Sequence, residues 1–471
     1  MFAHLHTMLS KKNKQSTSKH RGSILMFVLV FGAVASMMII SGVASYAIFE
    51  NKASNRKHNR DLAFQIAEAG INYYRWHLAH SPTDYWDGTG GEPGPYQHDY
   101  EDKNGTVIGY YSLEIDEPLA GSSVVIVRST GWTTAEPQTK RELQVRLGFA
   151  ALTDYTFLSN ANMNFSFTTE VHGTTHSNGG IRFDGTTDSW VKSAKETYKY
   201  QNQTHNGVWG GGGPKSFWQY PVPEIDFFSV TADLSDIRDL ADQSGTHYTA
   251  SGKEGWHIVF TGATYKLYKV TSRDCYYGEG KWLYKKWKGW YWSGNTYCYD
   301  IGNEQLVGTY SIPTTGAIFV EDDVWIEGTV DGRVSVGVGK FPVQEPYKKA
   351  YINNNLLYAE KSSDDVVGIL AQGDVVIPHD VPNDMEINAA MLSQFSKLYH
   401  PYYYNGLKDS LTIFGSQISY QGGGWKYVNG WGNVVSGFVD TYHIYDGNLK
   451  YYPPPGFPVG TVYDLISWEE L

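Results

Sequence analysis

The longest uninterrupted apolar stretch of the chain follows Arg21, and it contains no charged residue from Ser23 to Phe49. An apolar helix of roughly 20 residues crosses the hydrocarbon core of a bilayer, and this run of about 27 is long enough to cross with some tilt. Because no water inside the bilayer competes for backbone hydrogen bonds, such a segment is helical there. The pattern therefore predicts a transmembrane helix, since a buried helix of a soluble protein rarely stays uncharged over this length.

The residues before this segment predict its orientation. Residues 1–22 contain no acidic residue and five basic ones, Lys11, Lys12, Lys14, Lys19 and Arg21. Basic flanks stay on the cytoplasmic side, so we expect a cytoplasmic N-terminus and an extracellular remainder of the chain. A secretory signal has a similar basic start, but its apolar stretch is shorter.

The helical pattern continues beyond the membrane. After the polar stretch 51–60, apolar residues recur three or four positions apart, at Leu62, Ile66, Ala69, Tyr73 and Trp76. Ser81–Pro82 ends the pattern, so one helix over 23–80 would be roughly 85 Å long at 1.5 Å per residue. A lone amphipathic helix is marginal in water, so its outer half needs a covering sheet.

Residues 81–150 have the pattern of that sheet. Three runs with strand character follow a loop rich in glycine and proline, at Thr106–Ile115, Ser123–Gly131 and Thr139–Phe149. The short turns between them predict an antiparallel β-meander that packs on the helix.

From residue 151 to 471 the chain alternates short apolar strands with Gly, Asn and Asp, as in GAIFVEDDVWIEGTVDGRVSVGVG (316–339). We interpret these strands as coils of a right-handed parallel β-helix, in which each coil covers the next. Insertions are expected at about 186–250, with a short helix near Ser229–Leu240, and at 271–300. The fold class is then α+β and mainly β, and a β-sandwich is the alternative because its strands are similarly short.

Two segments near the N-terminus resemble a known family. The basic leader with RGSILMFVL (21–29), in which Gly22 precedes Ser23, resembles a type IV prepilin leader, and DLAFQIAEAGIN (61–72) resembles PilX-type minor pilins and pseudopilins. The resemblance implies cleavage between Gly22 and Ser23 by a prepilin peptidase, and assembly with other pilin or pseudopilin subunits at the inner membrane. Major pilins carry Glu at the fifth mature position, where this chain has Phe27, so a minor subunit is implied. HSNGGIRFDG (176–185) and NLKYYPPPGFP (448–458) also resemble the exported domain of large pilus-associated proteins.

Charge and cysteine content narrow the functional classes. The net charge is −11, and removal of the leader, with its five basic residues, would make it −16. A body this acidic does not hold nucleic acid through its overall field. The two cysteines, Cys275 and Cys298, are expected to form a disulfide outside the cell, with two free thiols as the alternative.

The segment between the cysteines carries the strongest candidate for ligand contact. WLYKKWKGWYW (282–292) interleaves aromatic and basic residues, namely Trp282, Trp287, Trp290, Trp292, Lys285, Lys286 and Lys288. Flat aromatic faces with lysines suit stacking on bases or sugars and attraction of phosphates. The alternative is a hairpin that packs its aromatic residues on the body and shows its lysines to water.

Other chemical signals in the sequence are weak. GGGGPKS (210–216) departs from a phosphate loop because Pro214 precedes the lysine. His172 and His176 do not come together on a strand, and the acids Glu321, Asp322, Asp323, Glu327 and Asp331 fit no calcium-loop spacing. We therefore expect no catalytic, cofactor or metal site.

The sequence thus predicts a non-catalytic minor pilin-like subunit of a type IV pilus or pseudopilus, on the cell surface, acting in adhesion, DNA capture or filament-tip assembly. Its expected ligands are extracellular DNA or polysaccharide. The alternative is a membrane-tethered β-helix enzyme acting on surface polysaccharide, as parallel β-helices often do.

Overall fold

The computed structural model describes residues 21–118, 124–227, 230–450 and 452–471. Its first element is one helix of 60 residues, α1 (Arg21–His80), which confirms the predicted long helix. The side chains from Ile24 to Phe49 are all exposed, and the segment is long and apolar enough to cross a membrane. Most of the predicted leader, residues 1–20, lies outside the described residues.

The outer half of α1 packs on an antiparallel sheet, and we call the two together the head. Its first four strands are β1 (Tyr96–Glu101), β2 (Val107–Asp116), β3 (Val125–Thr133) and β4 (Lys140–Ala151). They pair in chain order. Strands β2 to β4 match the three predicted runs to within about three residues, whereas β1 was not predicted because its polar sequence, YQHDYE, has no apolar alternation.

The buried face of α1 matches the predicted one in part, since Ile66 is fully buried and Leu62 and Tyr73 pack against the core of the head. The residues that face the sheet are Ala63, Ile66, Ala67, Ile71, Tyr74 and Leu78, whereas the predicted contact residue Trp76 is 59% exposed. The physical reason is a close approach at Gly131 of β3. A Cβ atom there would lie 2.4 Å from the backbone of Ala63 and of Ala67. Small residues on both elements therefore select the helix face.

The strands that follow the head form a second unit, which we call the stack. Its first half contains β5 (Phe157–Ser159), β6 (Met163–Phe165), β7 (Thr169–His172), β8 (Thr175–Ser177), β9 (Ile181–Phe183), β10 (Thr186–Thr187), β11 (Val191–Ser193), β12 (Thr197–Tyr200), β13 (Gln203–Asn206), β14 (Val208–Trp209) and β15 (Trp218–Gln219). The helix α2 (Val230–Ser244) follows. The second half contains β16 (His247–Tyr248), β17 (Gly255–Gly262), β18 (Thr264–Lys285), β19 (Gly289–Ser311), β20 (Ala317–Val320), β21 (Val324–Val330), β22 (Arg333–Val338), β23 (Ala350–Tyr358), β24 (Val366–Ala371), β25 (Val375–Val376), β26 (Asp384–Ser393), β27 (Leu398–Tyr399), β28 (Leu407–Ser419), β29 (Gly423–Gly424), β30 (Lys426–Val428) and β31 (Val434–Ile444).

Most neighbouring strands of the stack pair in parallel. One ladder runs β16–β20–β22–β24–β26–β28–β5–β8–β11–β15. A second runs β17–β21–β23–β26–β28–β31–β7–β10. A β-sandwich is built from antiparallel strands, so these ladders do not fit that alternative.

The strands of the stack are not arranged in chain order. Strands β28 and β31, near the end of the chain, pair with β5 and β7, near the beginning of the stack. We call this junction the seam. The first half of the stack extends from the seam in one direction, and the second half extends from it in the other.

The last strand corrects the predicted domain boundary. β32 (Val459–Glu470) pairs antiparallel with β4, so it belongs to the head and not to the predicted 151–471 unit. Trp468 of β32 contacts Phe64 of α1 edge to face, at 5.8 Å between ring centroids. The stack is therefore inserted into the head between β4 and β32.

The predicted insertions are also corrected in part. Strands β10, β11 and β15 lie within 186–250 but belong to the parallel ladders. The predicted helix is α2, and its buried Leu234 and Ile237 join the main core with Phe319 of β20. The second insertion is longer than 271–300, because β18 and β19 pair from Thr264 to Ser311.

Candidate functional site

The hairpin β18–β19 carries the predicted contact residues. Lys285 pairs with Gly289, and the Lys288 amide donates to the Lys285 carbonyl across the turn. Gly289, which follows the turn at 286–288, has a φ of +72°, a conformation that glycine adopts without strain. The two cysteines, Cys275 and Cys298, face each other across the strands and are joined by a disulfide.

The hairpin separates its aromatic residues from most of its lysines. Trp282 pairs with Trp292, and Tyr284 pairs with Trp290, so these four side chains share one face. Lys281 and Lys285 alternate onto the opposite face, where Tyr291 lies. On that side the ammonium groups of Lys285 and Lys288 stand 5.3 and 4.8 Å from the Tyr291 ring centroid. Along the strands, the interleaving seen in the sequence is therefore a consequence of strand alternation, which puts Trp282 and Trp290 on one face and Lys281 and Lys285 on the other.

Part of the aromatic face packs within the protein. Trp292 contacts Tyr277 at 5.0 Å and Tyr404 of the stack at 5.3 Å between centroids, and Trp282 meets Trp292 edge to face at 5.6 Å. Cross-strand aromatic pairs stabilise hairpins. Packing within the protein therefore explains why tryptophans stand at positions 282 and 292.

The tip of the hairpin is different because its two tryptophans remain largely exposed. Trp287 is 95% exposed and Trp290 is 69% exposed. The neighbours of Trp287 in the turn are Lys286 and Lys288, whose side chains are also exposed. A tryptophan this open, between two lysines, gains no burial from its own fold. The tip is thus the part of the hairpin that is free to contact another molecule.

A partly buried cluster holds the foot of the hairpin on the stack. The ring of Tyr276 stacks on His379 at 3.8 Å, and the Asp300 carboxylate accepts the amides of His379 and Asp380 at 3.3 and 2.6 Å. Burial raises the pKa of Asp300 to about 6. These contacts fix the direction in which the hairpin leaves the stack.

Most of the acidic residues of 316–331 are paired within the protein. Asp322 binds Lys348 at 2.8 Å, and Asp323 binds Arg273 at 2.9 Å. Burial works to raise the pKa of Asp322, but Lys348 and Ser251 outweigh it and hold that pKa below its ordinary value. Glu321 and Glu327 contact His247 and His257, whereas Asp331 is exposed.

The weaker sequence candidates have structural roles. His172 binds Asp188 at 2.7 Å, whereas His176 is buried and binds Asn178 at 3.1 Å. In the glycine-rich segment 210–216, the Gly211 amide donates to Asp184 at 2.8 Å, so it faces an anion of the protein itself. In the part of the chain that the structure describes, no three His, Cys, Asp or Glu side chains converge as a metal site.

A cavity at the seam was not anticipated from the sequence. Its volume is about 250 Å³, and strands from both halves of the stack line it. Phe157, Met163 and Phe165 supply apolar walls from the first half, and Trp425 and His443 come from the second. About 260 residues separate Gln417 from its strand neighbour Phe157, and no local sequence signal reports that pairing.

Comparisons with known proteins add little to this description. The sequence matches no protein-family model and no curated protein. Among solved structures, the chain is similar to the crystal structure of the competence-associated pilin ComZ from Thermus thermophilus, at 13% identity and a TM-score of 0.31 over 88% of this chain and 97% of that one. A likeness at this level assigns neither a fold nor a function to this chain.

Proposed function

We propose that this protein is a non-catalytic, minor pilin-like subunit anchored in the inner membrane. The observation that carries the proposal is the division of α1, whose first half is apolar and uncovered while its second half packs on the antiparallel sheet of the head. A simple membrane tether needs no such continuous rod. The same helix would serve as the anchor and as the contact with neighbouring pilin or pseudopilin subunits.

The junction between Gly22 and Ser23 is proposed as the processing site. Both residues belong to α1, at its N-terminal end. Cleavage by a prepilin peptidase would remove the basic residues of the leader, and Ser23 would become the new N-terminus at the cytoplasmic side of the membrane. The head and stack would then lie outside the cell.

The stack is proposed to be a right-handed parallel β-helix that displays a contact surface. Its parallel ladders support this interpretation, and they position the hairpin tip away from the main core. The proposed ligand of the tip is extracellular DNA or polysaccharide. An exposed indole stacks on a base or a sugar ring, and the adjacent lysines attract an anionic polymer.

Filament association tests the first proposal. Filaments sheared from cells that express the full-length chain are expected to carry the protein. When the membranes of these cells are solubilised, the protein is expected to co-purify with the inner-membrane assembly platform. The variant Val34→Arg should lose this association, because a charged side chain at the centre of the membrane span makes insertion of the helix unfavourable. Recovery of the wild type with neither filaments nor platform would contradict the proposal.

Substitution at the hairpin tip tests the proposal that the tip binds extracellular DNA or polysaccharide. We expect the double variant Trp287→Ala, Trp290→Ala to bind immobilised DNA or cell-wall glycan about 30-fold more weakly or worse, since stacking contributes about 1–3 kcal/mol per ring. Trp431→Ala is the matched control, because Trp431 is 88% exposed on another loop. Unchanged retention on both materials, with the fold intact, would remove the tip as a contact surface. Degradation of the glycan by the purified protein would instead support an enzyme.

A further inference from the structure

The core of the stack is interrupted at the seam. The main hydrophobic core includes Trp425 and Leu158, whereas Phe165 and Val171 belong to a separate cluster. Protein interiors are packed like organic crystals, with few voids larger than a water molecule. The cavity of about 250 Å³ between the two clusters is partly open to solvent, so a small molecule could enter it from outside.

Three buried polar side chains on the cavity wall form a directed chain of hydrogen bonds. The Trp425 indole donates to Gln417 Oε1 at 2.9 Å, and Gln417 Nε2 lies 3.0 Å from His443 Nδ1. An indole nitrogen is only a donor, so it fixes the orientation of the Gln417 amide. Gln417 Nε2 must then donate, and His443 Nδ1 must accept.

The direction of these hydrogen bonds fixes the tautomer of His443. With Nδ1 as acceptor, the proton of the neutral ring is on Nε2. Burial, with a smaller contribution from Lys426, lowers the pKa of His443 to about 3, so the ring stays neutral at physiological pH. His443 is 1% exposed and lines the cavity, and its second ring nitrogen is a donor available to a molecule inside.

The cationic side chains that line the cavity, Lys426 and Arg182, already bind other groups of the protein. Lys426 Nζ donates to the Thr168 and Val439 carbonyls and to the Thr168 hydroxyl, at 3.1, 3.0 and 2.7 Å. Arg182 binds Asp184 at 2.7 Å. The remaining walls combine aromatic rings and the Met163 side chain with glycine backbone and neutral polar side chains, so the cavity favours a neutral, largely apolar guest.

We propose that the seam cavity is a binding site for a neutral, ring-sized apolar group that carries one hydrogen-bond acceptor, and that His443 Nε2 donates to this acceptor. The volume exceeds the roughly 150 Å³ at which an apolar cavity takes up benzene, so a substituted ring fits. The site is independent of the pilin-like function and of the hairpin tip.

Two probes of nearly the same shape test the proposal. Acetophenone has a ring and a carbonyl acceptor, whereas ethylbenzene has the ring alone. The full-length chain in nanodiscs is labelled with 5-fluorotryptophan, and the Trp425 resonance is assigned from its loss in Trp425→Phe. Both probes are expected to shift this resonance. The amount of each probe that partitions into empty nanodiscs is measured separately and subtracted to obtain the concentration of free ligand. Acetophenone should bind roughly 3- to 10-fold more tightly, as expected for one neutral hydrogen bond.

His443→Phe separates the donor from the cavity itself. The variant keeps a ring at this position but cannot donate, so acetophenone should lose its advantage while ethylbenzene still binds. Two results with the wild-type protein alone would overturn the proposal: no shift of the Trp425 resonance with either probe, or equal affinity for both. A preference for acetophenone that persists in folded His443→Phe would exclude His443 as the donor.

Discussion

Gly131 shows how one position without a side chain sets the geometry of the head. It lies under α1 at the point where Ala63 and Ala67 approach β3, and there is no room for a Cβ atom. The helix therefore lies on its small residues, and the larger Ile66 and Tyr74 fill the space on either side. This contact connects the membrane segment to the rest of the molecule.

We predict that Gly131→Ala destabilises the head by about 1–3 kcal/mol, because the added methyl group forces the helix away from the sheet. The measurement is thermal unfolding of the full-length protein in detergent. Gly447→Ala is the control, since a Cβ at Gly447 meets nothing within 4 Å. Equal midpoints for the two variants would contradict the close approach.

A second residue-level prediction concerns His257, which is buried between two glutamates. Its Nδ1 lies 2.6 Å from Glu304, and its Nε2 lies 3.6 Å from Glu327. Burial works to lower the pKa of His257, but the hydrogen bonds and charges of the two glutamates outweigh it and raise the pKa above its ordinary value. The charged ring therefore stabilises the fold fully below pH 6.5, and this contribution is lost as the pH rises through the raised pKa.

The wild type is expected to be more stable than His257→Gln at pH 6, by roughly 1 kcal/mol or more, with a smaller difference at pH 9. Unfolding midpoints at several pH values measure this, with His58→Gln as an exposed control on α1. A difference that grows with pH would show that the histidine is neutral in the fold.

Residue types in the sequence indicated which side chains stand out but not how they are grouped. The aromatic and basic residues of 282–292 were identified from composition alone, yet only the strand register places Trp282 and Lys285 on opposite faces. The donor chain ending at His443 had no sequence signal, because its members belong to different strands and the cavity depends on a pairing between distant parts of the chain.

At the level of elements, the hairpin β18–β19 is the longest strand pair of the stack, and much of it extends beyond the core. Its outer part has few buried side chains, so the disulfide and the cross-strand aromatic pairs must hold it. Elements of this kind lie at the low end of local stability.

Replacing Cys275 and Cys298 together by Ser is expected to loosen the outer hairpin. A closed loop with a separation of 23 residues contributes about 3 kcal/mol by restricting the unfolded chain. Amide hydrogen exchange should accelerate between 276 and 297 and stay unchanged in β24 and β26. Wild-type protein treated with a reductant is the control and should match the variant. Unchanged exchange in the hairpin would mean that the aromatic pairs hold it alone.

Elements with a strong hydrophobic periodicity could be predicted from the sequence. Strands that form only because other strands pair with them could not. The uncharged run and the three- or four-residue spacing gave α1 almost to the residue, and alternation gave β2 to β4. Strands of two residues, such as β10 or β25, have no periodicity and exist because neighbouring strands pair with them. β32 is apolar enough to be a strand, but its sequence does not say which sheet it joins.

At the scale of the whole molecule, the stack is an insertion in the head. The chain leaves through β4 and returns through β32, which pair side by side. Two connections close together restrict the orientation of the stack more than one linker would. Tyr463 strengthens the return, since its hydroxyl donates to the Pro82 carbonyl at 2.9 Å, just after α1.

Deletion of residues 459–471 is therefore expected to destabilise the head and to expose the edge of β4. Exposed strand edges promote association between chains. Light scattering should detect aggregation of the truncated protein, and its head should unfold at a lower temperature while the stack transition is retained. A truncated protein that stays monodisperse with an unchanged head would show that β32 is dispensable.

The central claim, that α1 is a processed pilin-type helix, is tested most directly by the mass of the mature N-terminus. The protein is purified from cells with and without an active prepilin peptidase, and its N-terminal peptide is identified by mass spectrometry. The account predicts a chain that starts at Ser23 in the first case and keeps residues 1–22 in the second. A chain that keeps these residues in the presence of the peptidase, or loses them without it, would contradict the account.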